Sequence, residues 1–269
     1  MILKTRIFIL ALTLVVSSCN LFKKSTDNDD DLVVMNLDTI ETTSTTITAK
    51  PYFYPTSTLV LDARGMEIHE VALISKGYVK TGVDSKKDPG GNFEVNVQMA
   101  DVKSKTLEYK YANDVLTIQL DKEYKNNEEY TIFISYVSKP NELKKSGGSL
   151  AITDDKGLYF INPDGKDKNK PQQIWTQGET QATSVWMPTI DRPNERMTQE
   201  IYMTVDKKYV TLSNGELCSS FDNGDGTRTD YWKMELPHAP YLAMMAVGDY
   251  AVVKDNKWRG REVSYYVEK

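Results

Sequence analysis

The chain has 269 residues, of which 40% are hydrophobic and 26% are charged, as in an ordinary soluble globular protein. Its formal net charge is −5. Nucleic acid is therefore not expected as a partner, because phosphate binding needs a concentrated Lys/Arg footprint and none is apparent. The 16 Tyr residues favour strands over helices.

The N-terminus predicts an exported protein. Residues 1–18 read as a signal peptide, in which Lys4 and Arg6 precede an apolar run from Ile7 to Val16 that is too short to span a bilayer. The run ends in Val-Ser-Ser before Cys19, which resembles a bacterial lipobox and makes Cys19 the expected lipid attachment site. We therefore expect a cell-envelope protein anchored to the outer membrane, periplasmic or surface-exposed. The alternative is an ordinary cleaved signal in which Cys19 is incidental.

Residues 19–32 form a polar segment with an acidic cluster at Asp27–Asp31. Its low hydrophobicity predicts a tether between the anchor and the folded part. The cluster also resembles the acidic export signals of some surface lipoproteins. If Cys19 is acylated, Cys218 is a lone thiol, and we expect it to pack in a sheet rather than to react.

Residues 33–269 predict one β-domain of short strands separated by turns. Asn-Gly and Asp-Gly pairs, as at Asp222–Gly226, predict tight turns. No stretch has the pattern of a long amphipathic helix. This pattern of strands and turns predicts an all-β fold of twisted, mostly antiparallel sheets, arranged as two sheets. The predicted strands are Thr58–Ala63, Met66–Ile74, Thr106–Tyr111, Val115–Leu120, Tyr130–Val137, Gln199–Val205, Tyr209–Leu212, Thr229–Glu235, Leu242–Val253 and Glu262–Val267.

Common catalytic motifs are absent from the sequence. His69-Glu70 begins like the zinc motif H-E-x-x-H, but the fifth position is Leu73 and the surroundings read as strand. His238 is the only other histidine, so no metal ligands are predicted. Gly147-Gly148-Ser149 lacks the nucleophile-elbow pattern.

The most informative segment runs from Gly157 to Arg196. Within it, Gln177 and Glu179 alternate with Gly178, so that in an extended segment both side chains would project to one side. A carboxylate beside an amide oxygen can receive an ammonium group. Gly178 would let a ligand or another backbone approach closely.

Four separated motifs resemble the N-terminal domain of peptidase family M1, the aminopeptidase N and leukotriene A4 hydrolase group. They occur in the order of that family and extend the resemblance over roughly residues 48–269. The motifs are Leu59–Ala63, Thr176–Glu179 with Trp186–Pro188 and Asp191–Arg196, Leu236–Leu242, and Val247–Tyr250.

The resemblance implies a saddle-shaped, substrate-anchoring β-domain whose Gln177 and Glu179 hold the free α-amino group of a peptide. It implies structural roles for Asp191, Pro193 and Arg196, which would hold a turn through a carboxylate–guanidinium contact. Zinc is the cofactor of the full-length family. The family's H-E-x-x-H helix would lie downstream of Lys269, so this chain is expected to be truncated before the catalytic domain, to bind no cofactor and to be inactive when alone.

A second interpretation stays open at this point. The chain could be a non-catalytic surface lipoprotein whose β-module binds peptides or proteins. That interpretation predicts no large exposed apolar face, whereas a domain that packs on a catalytic partner should expose one.

Overall fold

The computed structural model describes residues 43–74, 104–143 and 156–269, together with the backbone of two short strands at 81–82 and 96–97. Within these residues the chain forms β-strands and three single 3-10 turns, without an α-helix. All the strand pairs are antiparallel, so the all-β, antiparallel prediction is confirmed. The predicted signal peptide, Cys19 and the acidic tether lie outside the described residues.

The first half of the domain contains a four-stranded sheet in the order β1-β9-β3-β6, a three-stranded sheet in the order β2-β8-β7, and a β4-β5 pair. Strand β9 is rich in β-branched and aromatic residues, and alternate side chains of it are fully buried. The strands are β1 Thr43–Ala49, β2 Thr56–Asp62, β3 Met66–Ile74, β4 Thr81–Gly82, β5 Asn96–Val97, β6 Ser104–Thr106, β7 Tyr109–Ala112, β8 Val115–Tyr124 and β9 Tyr130–Ser138.

The second half contains a four-stranded sheet in the order β10-β11-β16-β13, a three-stranded sheet in the order β12-β15-β14, and the ribbon β17-β18. Strand β12 alternates buried and half-buried residues along its whole length, which is the pattern of a strand with one face on the core. The strands are β10 Leu158–Ile161, β11 Gln173–Thr176, β12 Met197–Asp206, β13 Val210–Ser213, β14 Glu216–Asp222, β15 Thr227–His238, β16 Met245–Gly248, β17 Tyr250–Lys254 and β18 Ser264–Glu268. The 3-10 turns are Pro140–Glu142, Thr183–Val185 and Pro240–Leu242.

Two predicted strands are wrong in their extent. The alternating run Thr106–Tyr111 is split, because β6 pairs with β3 whereas β7 pairs with β8 in another sheet. Leu107 makes the crossing and donates its amide to the Val71 carbonyl at 3.0 Å. The run Leu242–Val253 is likewise split at Asp249 into β16 and β17. The two-sheet arrangement is therefore replaced by several smaller sheets.

The prediction that Cys218 is packed is also wrong. It is exposed on β14, which is the edge strand of its sheet, rather than packed. Partial desolvation of its thiol nevertheless raises its pKa. The thiolate, which is the reactive form, is thereby disfavoured.

One contiguous hydrophobic cluster draws residues from both halves of the described chain. Tyr136 on β9 donates its hydroxyl to the Trp186 carbonyl at 2.9 Å, and Trp186 itself is buried. The sheet of the first half is therefore fixed against the segment that follows β11. No helix within the described residues is long and apolar enough to cross a membrane.

Candidate functional site

Gln177, Gly178 and Glu179 lie just beyond the end of β11, which stops at Thr176. Gln177 is half-buried, and Glu179 is exposed in a turn. The extended geometry expected for this segment therefore ends before Glu179. Both side chains still reach the surface, as binding of a ligand requires, and neither lies in a sealed core.

Gly178 is held against the backbone of Tyr241. A Cβ atom built on Gly178 would lie 2.3 Å from the Tyr241 carbonyl oxygen and 2.7 Å from Oγ1 of Thr183. Of the two possibilities raised by the sequence, close approach of a ligand or of another backbone, the structure shows the second. Only glycine fits here without displacing the 3-10 turn Pro240–Leu242.

Gly157 fixes the turn at residues 177–182 from a second direction. It has a φ of +66°, and a Cβ built on it would lie 2.1 Å from the Ala182 carbonyl oxygen. Its own carbonyl accepts the Gln177 amide at 2.9 Å, and the Gly178 carbonyl accepts the Ala182 amide at 2.8 Å. The backbone before Glu179 is thus bonded to Gly157, and the turn that carries Glu179 is closed by the hydrogen bond from Ala182 to Gly178.

A third set of contacts comes from the connection between β2 and β3. Arg64 donates its amide to the Ser184 carbonyl at 2.8 Å and its Nη1 to the Gln181 carbonyl at 3.2 Å. Thr183 also donates its hydroxyl to the buried Pro240 carbonyl at 3.0 Å. The turn that bears the predicted anchor residues is therefore a fixed platform.

The side chains of Gln177 and Glu179 make no hydrogen bond or ion pair with another residue of the described part of the chain. Such groups are available to an outside donor. A carboxylate provides charge for an ammonium group, and an amide oxygen provides an oriented acceptor. The segment can therefore bind a cationic nitrogen.

The predicted contact between Asp191 and Arg196 is wrong. Buried Asp191 instead accepts the Ser184 amide at 2.9 Å, and desolvation raises its pKa. Arg196 donates to two carbonyl oxygens, that of Pro193 at 2.8 Å and that of Glu195 at 2.6 Å. Both residues stabilise the local chain path, so their structural role holds with different partners.

The two histidines lie in different environments. His69 lies exposed on β3, so the helical zinc motif is excluded there by secondary structure as well as by Leu73. His238 is buried, and its Nδ1 lies 2.9 Å from the Ala239 carbonyl oxygen. In the part of the chain that the structure describes, no three His, Cys, Asp or Glu side chains come together to hold a metal ion. The residues present therefore do not fit a zinc site.

Two contributions to this site were not evident from the sequence. Gly157 and Tyr241 both belong to segments that the sequence singled out, but nothing assigned them to the support of Gly178. Close approach of backbones that are far apart in sequence leaves no periodic pattern. A positive φ at Gly157 is equally invisible, because glycine occurs at many kinds of position.

The comparisons with known proteins agree with this fold. A family model described as the Peptidase M1 N-terminal domain matches residues 30–242. Transcription initiation factor TFIID subunit 2 from Danio rerio is 25% identical over 132 residues, which are 44% of this chain and 11% of that protein. The Gallus gallus protein of the same name is 26% identical over 102 residues, which are 37% of this chain and 9% of that protein.

Solved structures show the same architecture. The M1 zinc metallopeptidase from Deinococcus radiodurans matches with a TM-score of 0.61 and 13% identity, covering 96% of this chain and 45% of its own. A two-domain M1 zinc metallopeptidase bound to L-arginine matches with a TM-score of 0.60 and 13% identity, covering 93% and 43%.

This chain thus spans about a tenth of the curated relatives and less than half of the solved structures. At these identities the structural matches show the fold alone, whereas the family model covers most of the sequence. The chain belongs to the peptidase M1 N-terminal domain family.

Proposed function

We propose that this chain is the substrate-anchoring domain of an M1-type zinc aminopeptidase and that Gln177 and Glu179 bind the leading ammonium group of a peptide. The observation that carries the proposal is an exposed carboxylate and a half-buried amide, both without partners among the described residues, on a platform fixed from three directions. Preorganised acceptors lower the entropy lost when the peptide is bound.

The exposure of Glu179 sets the expected strength of the contact. An ion pair in high dielectric contributes about 0.2–1 kcal/mol, whereas a hydrogen bond to a charged group that is shielded from water contributes about 1.5–3 kcal/mol. The chain alone should therefore bind a peptide amine weakly. Full affinity requires a second protein surface that covers Glu179.

Apolar side chains beside the platform support such a covering surface. Leu242 follows Tyr241, whose carbonyl packs on Gly178, and its side chain is 49% exposed. Leu236, which precedes the same segment, is 72% exposed. We assign the zinc to the protein region that would cover them, and no step of peptide hydrolysis to the residues of this chain.

The test is a titration of the ¹⁵N-labelled chain, followed by NMR, with a tripeptide amide and with its N-acetyl counterpart. The free-amine peptide should shift the backbone amides of residues 177–180, and the acetylated one should not. Glu179→Gln should abolish the difference, while Glu216→Gln, which changes an exposed carboxylate on β14, should leave it intact. Equal shifts from both peptides, or shifts only elsewhere, would refute the proposal.

The second candidate is a non-catalytic envelope module that binds peptides or proteins. It is favoured by the similarity to TFIID subunit 2, because the name of that relative denotes a transcription factor subunit rather than a peptidase. Under this candidate Leu236 and Leu242 are separate exposed residues rather than a face that another domain covers. A Leu242→Ser variant would then keep the binding of the chain unchanged, and peptide amines would have no effect on the amides of residues 177–180.

For the cellular location, we propose lipid anchoring at Cys19 in the outer membrane. The support is the order of positive residues, apolar run and Val-Ser-Ser-Cys at the N-terminus. Expression of the full chain with radiolabelled palmitate should label the wild type and leave Cys19→Ser unlabelled. Equal labelling of both would contradict the assignment.

A further inference from the structure

The hairpin that joins β17 to β18 carries three cations and an exposed indole at its tip. The residues read Lys257-Trp258-Arg259-Gly260-Arg261, and all five are exposed. This cluster stands out in a chain whose formal net charge is −5. Basic residues are not otherwise concentrated in the sequence without interspersed acids, and this short tip is the exception.

The tip has a defined geometry. Trp258 and Arg261 exchange two backbone hydrogen bonds of 2.9 and 3.0 Å. Between them Arg259 and Gly260 both have a positive φ, of 50° and 80°, as a tight two-residue hairpin turn requires. Since Trp258 and Arg261 lie opposite each other, their side chains lie on one face of the hairpin.

Trp258 is exposed and lies against the guanidinium of Arg259. Its side chain is 59% exposed, and the Arg259 guanidinium carbon lies 4.4 Å from its ring centroid. Of the other tryptophans, Trp186 and Trp232 are buried. An exposed indole is costly in water, whereas indole rings flanked by cations are stable at the level of lipid headgroups.

The nearby carboxylates are already engaged. Glu262 pairs with Lys254 at 3.0 Å, and Asp255 accepts the Tyr265 hydroxyl at 3.1 Å. In the described residues, Arg259 and Arg261 form no ion pair with a carboxylate, and Lys257 acts on Glu262 more weakly than Lys254 does. Guanidinium groups without an acid partner can bind phosphate oxygens in bidentate fashion.

We propose that this tip, residues 257–261, docks on an anionic phospholipid surface. The tip is convex, which suits a planar membrane, whereas peptides and small ligands are bound by concave sites. Indole insertion at headgroup depth and cation–phosphate contacts act together there. This inference is independent of the peptide site, which lies on another sheet.

The test compares binding of the full chain to vesicles of pure phosphatidylcholine and to vesicles with about 30% phosphatidylglycerol. The ratio of the two partition coefficients removes the contribution of the apolar N-terminal run, which is common to all variants. Three cations near an anionic surface should raise this ratio roughly tenfold to 100-fold at low salt. High salt should reduce it.

Two triple variants with the same change in charge separate the tip from net charge. The tip variant replaces Lys257, Arg259 and Arg261 by glutamine. The control replaces Lys166, Lys168 and Lys170, which lie in an exposed loop with interspersed acids, by glutamine. We expect the tip variant to lose most of the acidic-vesicle preference and the control variant to keep it.

A local readout completes the test. Subtracting the emission spectrum of Trp258→Phe from that of the wild type isolates the emission of Trp258. The maximum of this difference spectrum should shift to shorter wavelength with acidic vesicles and stay unchanged with neutral ones. Equal losses in both triple variants, no preference for acidic vesicles, or no shift of Trp258 would overturn the proposal. Binding of the tip to an acidic peptide without binding to acidic vesicles would also overturn it, in favour of a protein partner.

Discussion

Replacing Gly178 by alanine tests the contact that supports the candidate anchor. The added methyl group would lie 2.3 Å from the Tyr241 carbonyl oxygen and 2.7 Å from Oγ1 of Thr183. Both distances are far inside van der Waals contact, and the first neighbour is backbone that cannot rotate away. The strain would also disturb the buried hydrogen bond from Thr183 to Pro240.

Three effects determine how much Gly178→Ala changes the free energy of unfolding. Overpacking costs about 1–3 kcal/mol, and weakening a buried hydrogen bond costs about 0.5–1.5 kcal/mol. Alanine also lowers the entropy of the unfolded chain, which offsets about 0.4–1 kcal/mol. Together these effects should lower the free energy of unfolding by about 0.5–4 kcal/mol, centred on roughly 2 kcal/mol.

Urea unfolding followed by tryptophan fluorescence measures the effect, and Gly224→Ala is the control. A Cβ on Gly224 meets nothing within 4 Å, although its φ is +81°. Gly224→Ala should therefore lower the free energy of unfolding by only about 1 kcal/mol, because alanine is strained in the left-handed backbone conformation. If Gly178→Ala is as stable as the wild type, the backbone of Tyr241 does not lie against Gly178 and the platform described above is wrong.

Substitutions at three further residues are tested by urea unfolding. Thr183→Val removes one of two donors to the Pro240 carbonyl, which keeps the Ala243 amide at 2.8 Å, and should cost about 0.5–1.5 kcal/mol, whereas Thr183→Ser should be milder. Asp230→Ala leaves the Arg228 guanidinium without its buried carboxylate and should cost about 3–5 kcal/mol; a neutral result would show that this pair is not formed. Burial lowers the pKa of His238 below its ordinary value of 6.5, so the unfolded chain binds the proton more readily, and stability that is complete above pH 6.5 is lost as the pH falls below it. His238→Asn should flatten that decline between about pH 7 and 5, and an unchanged decline would assign it to other groups.

The sequence predicts the position of a strand correctly where the alternating buried and exposed residues all belong to a single sheet. The strand Met66–Ile74 has its predicted bounds, and the turn at Asn113 and Asp114 has the positive φ angles expected of a hairpin. The prediction of one strand over Thr106–Tyr111 failed, because the alternation of residues indicates which side chains are buried and not which strand pairs with the segment. A chain that crosses between two sheets at Leu107 keeps the period while it changes partners.

The residues of the candidate site were predictable because they form a local chemical pattern, and their support was not. The pair Gln177 and Glu179 is visible from residue type and spacing, and the assignment of their role remains a prediction. The contacts of Gly157 and Tyr241 depend on how distant segments pack. Cys218 shows the same limit, because a strand sequence does not tell whether the strand lies at the edge of its sheet.

The central claim is that the Glu179 carboxylate recognises the charge on the first nitrogen of a peptide. A double-mutant cycle measures this directly, with peptide dissociation constants from NMR titration for the free-amine and N-acetyl ligands on wild type and on Glu179→Gln. We predict a coupling of about 0.5–1 kcal/mol for the uncovered chain, with acetylation weakening binding to the wild type only. A coupling of zero, in which acetylation weakens both proteins equally or neither, would contradict the claim.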